Sequence, residues 1–356
     1  MQQLPASKRD IVVIGASAGG VEALTAFFKA LPPKVEAAFL VVLHIPAHAP
    51  SRLDQILSRV TSLSVVVAED GEPLVSGRVY VASPDKHLMV TPQGVRLSRG
   101  PKEGRSRPSI DVLFRSAAVA FQSRVIGVVL SGMLDDGTAG LWAIRDHQGV
   151  ALVQDPAEAL HAPMPQSAIA HVQVDFVGTV QALSDRVALL ASEEVAMPED
   201  PARLARLGIE NHIALGGNGL KVGVMDLGKV SKYTCPDCHG VLVQIEEGSI
   251  VRFRCHTGHA YSLTSLIAEV NESIDKGLWG ALRAGEERVM LMRQAAEVAD
   301  AAGATHEAQR CQMHADQTEK RLEPLRVLVH DSEFFNNLSA NPGLTSMAVQ
   351  PGPAGA

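Results

Sequence analysis

The first half of the chain alternates short apolar runs with longer segments of helical period. Ile11-Val12-Val13-Ile14 is a β-branched run that ends in Gly15-Ala16-Ser17-Ala18-Gly19-Gly20, and apolar-periodic positions continue from Val21 to Leu31. That pattern predicts a buried strand, a tight turn and a helix. Further strands are expected over Phe39–Leu43, Leu63–Ala68, Val125–Leu130, Val150–Val153 and Val172–Val177. Helices are expected over Ser51–Val60, Ile110–Phe121, Thr138–His147 and Gln166–Ala170. Arg78–Ala82 and His87–Val90 are shorter alternating runs, and Gly94 before Val95-Arg96-Leu97 suggests a hairpin. Buried strands alternating with helices predict an α/β fold, a doubly wound and mostly parallel sheet with helices on both faces. In such folds ligands bind beyond the carboxyl ends of the strands.

The pattern changes after residue 192. Residues 193–230 are weakly patterned and rich in Gly, Pro and charge, so a linker is expected there. Val241–Phe253 looks like a hairpin turning near Gly248. From Gly277 a four-and-three spacing runs through Leu278, Leu282, Gly285, Val289, Met292, Ala296 and Ala299. It recurs after Gly303 through Ala308, Cys311, Ala315, Thr318, Leu322 and Leu325, which predicts a helical hairpin or coiled-coil arm. Pro324 is expected to kink or end the second helix. The expected organisation is a disordered start at 1–9, an α/β domain at 10–192, the linker, a small module at 231–265, a helical hairpin at 266–335, and a disordered Pro/Gly/Ala/Ser-rich tail at 336–356.

Composition narrows the function classes. The net charge of −7 and 4% aromatics speak against nucleic acid as a partner. The start, Met1 to Asp10, is polar, and no apolar run reaches membrane-spanning length, so neither a signal peptide nor membrane insertion is expected and the cytoplasm is the default location. Four cysteines in a chain this long do not make a secreted disulfide framework.

Three strand ends carry chemistry. Ser17 sits in a glycine-rich βα turn that suits a phosphate or a nucleophile equally well. It replaces the second glycine of a dinucleotide loop, and His44 stands where a ribose-binding carboxylate would be expected. An imidazole at the end of Phe39–Leu43 could instead take the serine proton. A carboxylate of Asp135-Asp136-Gly137 could orient that imidazole. The chain order Ser, His, Asp differs from the Ser, Asp, His of α/β-hydrolases.

These residues resemble a known family. Gly15–Gly20, Leu43-His44-Ile45-Pro46, Tyr80–Leu88, Pro108–Phe114 and Ser131–Gly137 are similar to the catalytic domain of the chemotaxis protein-glutamate methylesterases (CheB), over roughly residues 9 to 190. The resemblance implies hydrolysis of γ-glutamyl methyl esters on chemoreceptors, and deamidation of certain receptor glutamines. It implies Ser17 as nucleophile, His44 as base and acid, and Asp136 as the orienting carboxylate. The backbone N–H groups of Met133 and Ala18 would hold the oxyanion, and Gly15, Gly19 and Gly20 would shape the nucleophile turn. No cofactor is implied for catalysis. The implied partners are the methylated helices of chemoreceptors, or a related methylated signalling protein, with a methyltransferase as the opposing enzyme. Family members in chemotaxis usually carry an N-terminal receiver domain, and none fits before residue 11. A rival reading is a non-catalytic signalling scaffold that keeps the esterase fold.

Cys235-Pro-Asp-Cys238 and, after sixteen residues, Cys255-His256-Thr257-Gly258-His259 have zinc-ribbon spacing. Cys235, Cys238, Cys255 and His259 would bind a structural zinc, with His239 and His256 in reserve. The extension resembles zinc-ribbon-like modules on receiver-less members of the same family. Arg99, Lys102, Arg105 and Arg107 form a basic loop, read as solvated surface or as a contact for an acidic receptor helix.

Overall fold

The computed structural model describes residues 7–191, 193–196 and 201–334, with the backbone alone at 201–206. The chain divides into two units, one running through Leu266 and the other over Ile267–Pro342. The predicted tail at 336–356 lies outside the described residues, as do residues 1–6.

The first unit begins with a two-residue strand β1 (Ser7–Lys8), then β2 (Ile11–Ala16), α1 (Gly20–Ala30), β3 (Ala38–Leu43), the short helix α2 (Leu53–Leu57), β4 (Ser64–Val67) and β5 (Arg78–Val81). The hairpin β6 (His87–Thr91) and β7 (Gly94–Ser98) precedes α3 (Ile110–Phe121). Then come β8 (Val125–Val129), α4 (Thr138–Asp146), β9 (Val150–Gln154), α5 (Pro163–His171), β10 (Phe176–Gly178) and α6 (Val180–Leu190). Seven strands form one sheet in the order β10-β9-β8-β2-β3-β5-β4, and every neighbouring pair is parallel.

The strands are apolar along their length because both faces are covered. Val12 and Ile14 pack with Leu24, Phe27 and Phe28 of α1 and Leu183 and Val187 of α6. Ile11 and Val13 pack with Leu113, Phe114 and Ala117 of α3 and Leu141 and Ile144 of α4. Two cores thus sandwich the sheet, as the sequence pattern predicts. Strand order reverses about β2, with β3 on one side and β8 on the other. Such a switch point opens a crevice at the strand ends.

Two expectations fail in this unit. The start is not wholly irregular: Ser7 and Lys8 pair antiparallel with β11 (Glu194–Val195), and Arg9 reaches the carbonyl of Ser123. The stretch 193–230, expected as a linker, contains helix α7 (Pro201–Ala214). Ile213 of α7 is buried with Val224, Leu227, Val243 and Ile245. The fully buried Glu210 disguises this helix, because a carboxylate at a core position breaks the apolar period.

Beyond α7, β12 (Lys229–Thr234), β13 (Val241–Glu247), β14 (Ile250–Cys255) and β15 (Ala260–Ser262) form an antiparallel four-stranded sheet. The β13–β14 turn falls at Gly248, whose φ of 59° suits glycine. A buried six-charge cluster joins this module to the α/β domain. Glu210 pairs with Arg252 at 2.8 Å and Arg254 at 2.7 Å, and lies 3.6 Å from Arg115 of α3. Glu103 pairs with Arg115 and Arg254, each at 2.9 Å, and Glu247 pairs with Arg252 at 2.6 Å. Three acids match three arginines, which is the condition under which buried charges are tolerated.

Helix α8 (Leu263–Ala301) begins in the first unit and continues into the second, where α9 (Thr305–Val329) follows it. Pairs Arg326–Glu286 and Arg293–Glu319 show the two helices to be antiparallel. Leu282, Val289, Ala296, Ala308 and Ala315 are buried, which is the predicted heptad seam. Leu322 lies so close to Gly285 that a Cβ there would meet it at 2.4 Å. Pro324 neither ends nor replaces the helix; α9 runs through it to Val329. No helix among the described residues is long and apolar enough to cross a membrane.

Candidate active site

The glycine-rich turn delivers Ser17 to the crevice. Gly19, at φ 71°, caps α1 in the left-handed region, and a Cβ there would lie 2.7 Å from Ser131 Oγ and 2.8 Å from Leu160 Cβ. Gly15 and Gly20 are equally closed to side chains, by Ile110 at 2.3 Å and by Ala16 and Leu43 at 2.7 Å. The Ser17 N–H donates to the carbonyl of Ser131 at 2.9 Å, which ties the β2 end to the β8 end.

His44 leaves the end of β3 with its N–H on the Ala16 carbonyl, 3.1 Å away. Its Nδ1 lies 3.2 Å from Ser17 Oγ and its Nε2 lies 2.7 Å from Asp136 Oδ2. The imidazole therefore bridges serine and aspartate with its ring nitrogens exchanged relative to the serine-protease arrangement. One nitrogen still faces the hydroxyl and the other the carboxylate, so the proton relay is the same.

Asp136 is buried and densely solvated by the protein. Its Oδ1 accepts from Ser109 Oγ, the Asp111 N–H and the Gly137 N–H, each at 3.0 Å. Its Oδ2 accepts from the Ile110 N–H at 2.8 Å as well as from His44. Two of these donors are the first N–H groups of α3, where the helix dipole favours negative charge. Burial pushes the carboxyl up, but the His44 hydrogen bond and charge and the two α3 N–H groups outweigh it, so Asp136 is held below the usual carboxylate range.

The neighbouring acids do different work. Asp111 Oδ1 accepts from the Gly137 N–H at 3.0 Å and the Gly140 N–H at 2.6 Å, capping α4. Burial, then the charge on Asp136, push the Asp111 carboxyl well above the carboxylate range. Asp135 points away from His44 and accepts from Ser262 Oγ at 2.8 Å. A half-open cavity of about 250 Å³ is lined by Asp111, Asp135, Ser167, His171, Arg252 and Ser262.

The N–H groups of Met133 and Ala18 make no hydrogen bond to the protein among the described residues. Gly132, just before Met133, is so close to Ser17 that a Cβ on it would be 2.9 Å from Ser17 Cβ. Two unpartnered N–H groups thus belong to the residue after Ser17 and to the residue after Gly132. The side chains of Met133 and Leu160 stand exposed beside the serine.

Sequence reading missed Ser109 and His87. His87 is fully buried; its Nδ1 accepts from the Ser109 N–H at 3.2 Å and its Nε2 donates to the Pro101 carbonyl at 2.9 Å. Only the tertiary fold reveals that this histidine holds the loop before α3. The basic loop is in part internally paired: Arg99 and Arg107 both bind Asp85.

The four expected metal ligands come together. Cys235 Sγ and Cys255 Sγ lie 3.7 and 3.6 Å from His259 Nδ1, and Cys238 Sγ lies 3.6 Å from Cys255 Sγ. All four ligand atoms fall within 4.8 Å of one another. Those separations are the edges of a tetrahedron with zinc–ligand bonds of about 2.0–2.3 Å. His239 and His256 are not in the set.

A family profile described as CheB methylesterase matches residues 12–187. A relative from Leptospira interrogans, named "Putative protein-glutamate methylesterase/protein-glutamine glutaminase", is 37% identical over 177 residues; these are 49% of this chain and 92% of the relative. The protein-glutamate methylesterase/protein-glutamine glutaminase 1 of Geobacter metallireducens is 38% identical, over 51% of this chain and 51% of its own length. The chain therefore spans about half of that longer relative. The crystal structure of a Thermotoga maritima CheB methylesterase catalytic domain superposes with a TM-score of 0.50 at 32% identity, covering 52% of this chain and 99% of that one.

Proposed function

The chain belongs to the CheB methylesterase family, and from that premise we propose that Ser17, His44 and Asp136 carry out protein-glutamate methyl ester hydrolysis. The supporting observation is the unbroken line from Ser17 Oγ through both ring nitrogens of His44 to Asp136 Oδ2, at 3.2 and 2.7 Å.

Ser17 Oγ attacks the γ-glutamyl ester carbonyl as His44 Nδ1 takes the hydroxyl proton. Asp136, already ionised, stabilises the imidazolium through Nε2. The Met133 and Ala18 N–H groups receive the oxyanion. The carbonyl–methoxy bond breaks, and methanol leaves with the proton from His44. Water then attacks the acyl-serine and gives a proton to His44; the bond between the acyl carbon and Ser17 Oγ breaks, His44 returns the proton to Oγ, and the glutamate side chain is released as its carboxylate. A glutamine side chain enters the same cycle with ammonia as the leaving group. The substrate is a methylated helical segment of a chemoreceptor or a related signalling protein, where a methyltransferase runs the opposing reaction.

Cys235, Cys238, Cys255 and His259 would hold one zinc with all four positions filled, which suits a structural and not a catalytic ion. When bound, the ion cross-links the β12–β13 turn to the end of β14.

A fluorophosphonate probe should label Ser17, and Ser17→Ala should abolish both labelling and methanol release from a methylated receptor fragment. A folded Ser17→Ala protein with full methanol release would overturn the assignment and favour the scaffold reading.

A further inference from the structure

We propose that the C-terminal sheet is a working part of the esterase centre: Ser262 is a positioning residue that clamps the loop carrying both the oxyanion donor Met133 and the acid Asp136. The inference rests on the esterase reading above and concerns a residue far outside the segment that matches the family profile.

The loop needs a clamp. Leu134 sits at φ 59°, in the left-handed region, without being glycine. A non-glycine residue held there is strained, and persists only where neighbours over-determine it. On its N-terminal side Gly132 is fixed, its N–H on the His161 carbonyl and its carbonyl on the Met164 N–H, both at 3.0 Å. On its C-terminal side the Asp135 carbonyl accepts from the Thr138 N–H at 3.1 Å, and the Asp135 side chain is held from β15. Ser262 Oγ donates to Asp135 Oδ1 at 2.8 Å. The serine is itself held: its Oγ accepts from the Ser265 N–H at 2.9 Å, and its N–H donates to Ser265 Oγ at 2.9 Å. That reciprocal pair is a capping box at the start of α8, so the clamp is anchored to a helix end.

A second pair of bonds acts on the other side of Asp136. The Gly104 N–H donates to the Ala260 carbonyl at 2.8 Å, and the Ala260 N–H donates to the Lys102 carbonyl at 3.2 Å. Gly104 lies over the catalytic carboxylate: a Cβ on it would be 3.7 Å from Asp136 Cβ. Glu103, between these residues, is locked to Arg254 of β14. One strand therefore grips both the loop that carries Asp136 and the loop that covers it. Releasing Ser262 removes one restraint from the Leu134 turn and lets the Met133 N–H shift, while Asp136 stays held by its own donors. A displacement of that kind acts on turnover more than on substrate capture.

The test is a double-mutant cycle with steady-state kinetics on a methylated receptor fragment. Asp135→Ala removes the clamp and leaves the α8 cap intact; kcat should fall about 10-fold with KM within twofold. Ser262→Ala should show the same kcat loss, and Ser262→Thr, which keeps the hydroxyl, should recover it. Adding Ser262→Ala to Asp135→Ala should cost no further kcat, because the Ser262–Asp135 contact is already gone in Asp135→Ala. Unchanged kcat in a folded Asp135→Ala protein would overturn the clamp, and so would additive losses, which would mark Ser262 as a helix cap only. Should Ser262→Ala fail to fold, the Asp135→Ala result alone decides. Fluorophosphonate labelling of Ser17 in the unmutated protein separates the two levels: its failure would strike the esterase reading, whereas labelling with a silent Asp135→Ala would strike the clamp alone.

Discussion

Asp111 donates its backbone N–H to Asp136 Oδ1 at 3.0 Å, while its own carboxyl is pushed the opposite way in acidity. The half-buried Asp111 and the buried Asp136 thus have their acidities pushed apart, and the hydrogen-bond pattern favours charge on Asp136. Asp136 collects five donors, including His44; Asp111 Oδ1 collects two at the start of α4. Separated acidities of this kind assign the roles.

Asp111→Asn should keep activity within about threefold, because the amide oxygen can still cap α4. It should also change the pH dependence of stability. A carboxyl whose folded value is raised stabilises most below its unfolded value near 3.9, and that contribution is lost as pH rises through the folded value. The wild-type melting temperature should therefore fall relative to Asp111→Asn as pH rises above the carboxylate range. Parallel curves across pH 4–9 would contradict the assignment.

Glu210→Ala should destabilise the first unit by about 3–5 kcal/mol, since it leaves buried arginines short of a partner. Urea unfolding followed by circular dichroism measures this. Burial raises the Glu210 carboxyl, but Arg252, Arg115 and Arg254 overwhelm that and hold it well below its ordinary value. Its contribution is thus present above about pH 4.3 and is lost as pH falls through the depressed value. A loss under about 1 kcal/mol at pH 7 would contradict a supporting role for the cluster.

Protein purified without chelator should contain about one zinc per chain, and Cys255→Ser should lose most of it. Elemental analysis reads the stoichiometry. Chelation should also raise protease susceptibility within 229–262 before it affects the α/β sheet. Less than half an equivalent in the unmutated protein would count against the site.

The parallel sheet, Ser17 and His44 were legible because each depends on local pattern: a β-branched run, then chemistry at its end; that pattern left Asp135 and Asp136 open, and the family resemblance chose Asp136. Gly19 was legible for the same reason, since a tight βα turn leaves no room for a side chain. What supports Asp136 was not. Ser109 and His87 look like ordinary polar residues until the β6–β7 hairpin and α3 are brought together. The role of Ser262 needs a contact across 127 positions. Helix α7 was hidden by Glu210, whose burial makes sense only once Arg252 and Arg254 arrive from a later sheet. Pro324 does not end the second helix, one of the two outcomes expected of it, because α9 continues through it to Val329.

The buried charge cluster also has a seam. Glu103 and Arg115 fall within residues 12–187, while Glu210, Glu247, Arg252 and Arg254 all fall after them. Each side is neutral by itself, one acid with one base and two with two. Joining the parts at this seam therefore created no odd charge, and parting them would leave none. The seam is electrically neutral on both sides, even though β15 reaches across it to Asp135, the neighbour of Asp136.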